Sequence, residues 1–143
     1  MEMDDEFLEI TDLDWFSCYQ NGLLAHFATG GRGFVPASIR SSIYKYELVV
    51  EYFQSLEEEF DFEIIESNLP EFKDARQRER YLNSFLNMAK KGLFSYDVCD
   101  GGYKLIAAPK GGRHSDELPQ EVLRNIYMLG LPSDGDIKRL ILS

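Results

Sequence analysis

A chain of 143 residues, 44% hydrophobic and 13% aromatic, is long enough to bury a core by itself and too apolar to stay disordered. Its 25 acidic residues against 15 basic ones leave a net charge of −10, which disfavours non-specific attraction to nucleic acid or to anionic membrane. The opening Met1-Glu2-Met3-Asp4-Asp5-Glu6 lacks the basic-then-apolar order of a secretory signal, and no stretch approaches a membrane span. Cys18 and Cys99 sit in apolar, strand-like surroundings and read as small buried hydrophobes, so one domain in the reducing cytoplasm is expected.

The first predicted element is a β-hairpin from about Leu13 to Thr29. Asn21-Gly22 separates two β-prone runs and suits a two-residue type I′ turn, whose central residues both take positive φ. That turn pairs Gln20 with Leu23, Cys18 with Ala25 and Phe16 with Phe27, making these the core face. Trp15, Ser17 and Tyr19 then lie across from Ala28, His26 and Leu24 on a face polar enough to be partly wet.

After Gly30-Gly31-Arg32-Gly33, a helix is predicted over about 37–58, with Ile39, Ile43, Tyr46, Val50, Phe53 and Leu56 as its buried stripe. Eight acidic residues and no basic one lie between Glu47 and Glu66. Glu57, Glu58 and Glu59 fall at the expected helix end, where anions oppose the macrodipole. Such a run is the usual mark of a solvated face, and it is also what a basic partner seeks. Phe62 to Ile65 reads as a short strand.

A second helix is predicted over about 71–91, stopped by Gly92. It carries six basic and three acidic residues, so the chain is electrostatically lopsided, although Arg76, Arg78 and Arg80 alone do not make a nucleic-acid site. A second hairpin, about 93–109, turns at Asp100-Gly101 and pairs Val98 with Tyr103, Asp97 with Lys104, Tyr96 with Leu105 and Phe94 with Ala107. Beyond the loop Lys110 to His114 a short helix is expected from Pro119 to about Leu129, and Pro132 and Gly135 break the chain before Ile137 to Leu142. The fold class is α+β: an antiparallel sheet of two hairpins packed against two longer helices and a short C-terminal one.

Candidate chemistry is sparse. His26 and His114 have no short-spaced His or Cys partner, so no metal site is predicted and no cofactor is implied. His26 is expected to pack on Trp15 or Tyr19. The inferred register sets Ser17 opposite His26, but facing side chains occur in every antiparallel pair and no oxyanion-hole motif surrounds Ser17, so no catalytic residue is assigned. Asp12 and Asp14 read as turn and edge residues. The loops 30–33 and 110–114 each follow a hairpin, and glycine amides with Arg32 and Arg113 offer an anion-binding alternative if the sheet brings them together.

Asp12-Leu13-Asp14-Trp15-Phe16, Asn21-Gly22, Ala25-His26-Phe27, Thr29-Gly30-Gly31 and Pro36, with Tyr103 to Pro109 and Leu118-Pro119 near the end, resemble small uncharacterised bacterial single-domain proteins that open on an Asp-x-Asp-Trp-Phe strand. The resemblance implies an α+β domain and transfers no catalytic residue. Size and acidity also resemble immunity proteins, which sequester toxins. On that analogy the expected partner is another protein, a basic one, rather than a membrane or nucleic acid. Trp15, Tyr19 and His26 would be anchors, and Glu57, Glu58 and Glu59 would supply electrostatic attraction.

Overall fold

The computed structural model describes residues 1–130 and 139–141, the last three and residues 9 and 10 by their backbone. It begins with a helix the sequence reading does not anticipate, α1 (Asp5–Ile10), capped by the Asp4 side chain, which accepts from Phe7 N–H at 2.8 Å. The first hairpin follows as β1 (Asp14–Cys18) and β2 (Leu24–Ala28).

Its turn differs from the expected one. Among the described residues only glycines have positive φ, so Asn21 does not adopt the type I′ conformation. Tyr19 N–H donates to Leu23 O at 2.8 Å and Gly22 N–H to Tyr19 O at 3.0 Å, leaving a three-residue loop with Gly22 alone at φ 91°. The extra residue moves the register by one: Trp15 faces Phe27, Phe16 faces His26, Ser17 faces Ala25 and Cys18 faces Leu24. A one-residue slip exchanges the two faces of one strand relative to the other. Trp15 and Tyr19 therefore join Ala25 and Phe27, while His26 joins Phe16 and Cys18.

The helix expected over 37–58 is two helices, α2 (Ala37–Arg40) and α3 (Ile43–Ser55). Ser42 breaks it by taking an extended conformation at φ −155° and capping α3, its hydroxyl accepting from Lys45 N–H. Since α3 ends at Ser55, Glu57 to Glu59 lie in the loop beyond it. Next come β3 (Phe62–Ile64) and α4 (Ala75–Lys90), whose start is set by the Asp74 side chain accepting from Gln77 N–H at 2.8 Å.

The second hairpin is β4 (Phe94–Cys99) and β5 (Gly102–Pro109). Val98–Tyr103, Asp97–Lys104 and Tyr96–Leu105 pair as expected. An irregularity between Ser95 and Tyr96 then places Ser95, not Phe94, opposite Ala107. Helix α5 (Gln120–Asn125) is shorter than expected because the chain straightens into β6 (Tyr127–Met128), and β7 (Arg139–Ile141) closes the described chain. The breaks expected at Pro132 and Gly135 lie outside the described residues.

The sheet is mixed, in the order β3-β5-β4-β2-β1-β6, with β7 also on β5. Both hairpins are antiparallel, but they join through a parallel β2–β4 pairing, and β6 lies parallel to β1. The expected all-antiparallel sheet is thus corrected: residues 29–93, with α3 and α4 among them, form the long crossover that parallel neighbours require. One face buries Trp15, Tyr19, Ala25, Phe27, Tyr96 and Tyr103 beneath the N-terminal segment and α2. The other packs Phe16, Cys18 and Leu24 on α3 and α5, and Ile106 and Ala107 on α4. No described helix is long and apolar enough to cross a membrane.

Candidate functional site

Trp15, Tyr19 and His26, expected at a partly wet interface, are each 0% exposed. They serve the core, so they cannot anchor a partner on the folded surface. Trp15 stacks on Phe27 with ring centroids 4.2 Å apart, and its Nε1–H donates to the Tyr103 hydroxyl at 3.2 Å. That hydroxyl donates in turn to Phe34 O at 2.7 Å. Burial pushes the Tyr103 phenol up to about 12. The Tyr19 and Tyr96 hydroxyls bond to each other, which satisfies two buried polar groups inside the same layer.

His26 does not pack on Trp15 or Tyr19, because the register turns it to the opposite face, near Phe16 and Phe85. There it forms a buried polar line that the sequence reading does not find. Nδ1 lies 2.7 Å from Ser95 Oγ, and Nε2 lies 3.0 Å from Asp14 Oδ2. The second contact has the distance of an ion pair without the alignment of a hydrogen bond. A carboxylate beside Nε2 favours the tautomer protonated there, leaving Nδ1 to accept from the Ser95 hydroxyl.

Asp14, His26 and Ser95 have the residue types of a catalytic triad but not its setting. Ser95 and His26 are fully buried, so a nucleophile here cannot reach a substrate in the folded state. Ser17, expected across from His26, faces Ala25 on the other side of the sheet. The signal that could have found Ser95 is the parallel pairing of β2 with β4, which sets His26 beside it.

The two glycine loops lie at opposite ends of the sheet. Arg32 is near Asp100 at the β4–β5 turn, at a loose 3.9 Å. Arg113 N–H donates to Gly92 O just before β4 begins, and Leu23 bridges to His114. The expected shared anion site is therefore not assembled. Arg113 is also committed: its side chain is 9% exposed, Nε donates to Lys91 O at 2.9 Å, and its terminal nitrogens reach Glu59 and Glu117. Its guanidinium lies 5.3 Å from the Phe60 ring centroid.

The acidic stretch behaves differently. All eight carboxylates from Glu47 to Glu66 are exposed. Glu59 is held by Arg113 at 3.3 Å, and Glu66 accepts two hydrogen bonds from Arg78, which hold its carboxyl below the usual range. Glu58, Glu59 and Asp61 border an open cleft of about 710 Å³ with Phe60, Phe62, Lys90 and Lys110. Lys90 covers the Phe62 ring at 5.7 Å. Of the anticipated residues, the structure gathers Glu58 and Glu59 here and leaves Glu57 exposed beside them.

No convergence of three or more His, Cys, Asp or Glu suited to a metal occurs among the described residues. No family model, curated protein or solved structure matches this chain, so its functional reading rests on the side chains alone.

Proposed function

We propose that this chain is a non-enzymatic binding protein, immunity-like in the broad sense, that holds a basic protein through the acidic loop between α3 and β3. The observation that carries the reading is the position of Glu58, Glu59 and Asp61 on an open cleft, next to an exposed Glu57. Carboxylates concentrated this way steer a cationic partner and reject an acidic one. Phe60 and Phe62 add apolar area to the same walls. Work in the cytoplasm suits the buried, unoxidised thiol of Cys18.

The test is binding to the basic proteins encoded beside it, compared between low and high salt. Binding should weaken with salt and be lost in the charge reversal Glu57→Lys/Glu58→Lys, whose exposed positions leave the core untouched. Salt-independent binding that ignores the reversal would defeat the proposal, as would no binding to any of them.

A further inference from the structure

The acidic loop runs straight into β3, the outermost strand on its side of the sheet. Asp61, Glu63 and Ile65 turn their backbones toward β5: Asp61 O accepts from Lys110 N–H at 2.7 Å, Glu63 pairs with Ala108, and Ile65 N–H donates to Ile106 O at 2.9 Å. Antiparallel ladders alternate, so the N–H and C=O groups of Phe62 and Ile64 point away from β5. Among the described residues no strand pairs with that edge. The chain seals the neighbouring stretch, where Asn68 Nδ2 donates to Leu105 O at 2.9 Å just past the end of β3.

We propose that the free edge of β3 takes up an extended, lysine- or arginine-rich segment of the partner as an added strand. This rests on the reading of the acidic loop as the interface and supplies its binding mode. A three-residue edge is too short to capture chains by backbone alone, so charge must select the occupant. Glu57, Glu58, Asp61 and Glu63 are exposed around it. A second copy of this chain would set its own acidic run against these groups, whereas a cationic strand meets them favourably. Lys90 and Lys110 oppose it on the cleft wall, but Lys90 is already drawn over Phe62.

The experiment titrates the full chain with an eight-residue peptide alternating lysine and threonine, and with the same peptide N-methylated at alternate residues along one edge. Methylation keeps the charge and removes the donors an added strand needs. The unmodified peptide should slow hydrogen exchange at the Phe62 and Ile64 amides and bind about tenfold or more tightly than the methylated one. Ile64→Pro should weaken it similarly, since that N–H faces outward and proline is tolerated at sheet edges. If this variant unfolds, the comparison of peptides decides alone. Equal binding by both peptides without added protection overturns the strand mode and leaves the acidic interface standing. If neither peptide binds, both readings fall.

Discussion

Replacing His26 by phenylalanine isolates the buried line that joins the two hairpins. The substitution leaves the Ser95 hydroxyl buried without its partner, while Asp14, whose side chain is 38% exposed, regains water. An orphaned buried hydroxyl costs about 1–3 kcal/mol, and Ser95→Ala alone should cost about as much by stranding His26 Nδ1. Removing both polar groups removes the orphan, so the double variant should be about 1–2 kcal/mol more stable than the sum of the single losses implies. For a chain of this size each 1 kcal/mol moves Tm by about 3–5 °C. Trp15 is the single tryptophan and fully buried, so its fluorescence in urea reports the unfolding of all four proteins. Losses that simply add, within about 0.5 kcal/mol, would show that His26 and Ser95 do not act as a pair.

Gly22→Ala should destabilise by about 1–3 kcal/mol, because positive φ disfavours a side chain and the new Cβ would lie 2.0 Å from His114 Nε2; an unchanged melting temperature would contradict the turn geometry. Arg113→Ala should cost about 1–3 kcal/mol through lost bonds to Lys91 O and Glu59, whereas Arg32→Ala should stay within about 0.5 kcal/mol, and equal effects in chemical denaturation would show that Arg113 is not structural. Tyr103 favours its neutral form when folded, so its contribution is complete below the unfolded value of about 10 and is lost as pH rises toward about 12; denaturation at graded alkaline pH should show this slope reduced in Tyr103→Phe. Glu66 has the opposite sign: Arg78 lowers its folded value, so its contribution is present at neutral pH and lost as acid titrates it, and Glu66→Gln should flatten the acid side of the stability curve.

The hairpins, the two long helical regions and the acidic run were legible because each depends on local chemistry: Asp100-Gly101 at a turn, Gly92 after a helix, repeated glutamates on a solvated loop. The register of the first hairpin was not. Leu23-Leu24-Ala25-His26-Phe27-Ala28 carries almost no polar alternation, since both faces of the strand are buried, and without alternation nothing in the strand opposes a slip of one residue. That slip grouped Trp15 and Tyr19 with Ala25 and Phe27 on one buried face and left His26 on the other, where the parallel pairing of β2 with β4 puts it beside Ser95. Within the acidic region, Glu57 to Glu59 were visible by charge alone. Lys90 and Lys110 join them only because the end of α4 and the end of β5 meet that loop in space.

The parallel seam between β2 and β4 bears on how the chain reaches this structure. Each hairpin closes over a few residues and can form within microseconds, but Ala25 meets Phe94 only after the crossover of residues 29–93 has been drawn together. Folding should therefore be paced by that seam, with both hairpins present in a transition state that has yet to join them. The contact of His26 with Ser95 lies on the seam, so it should form only as the two halves become one sheet.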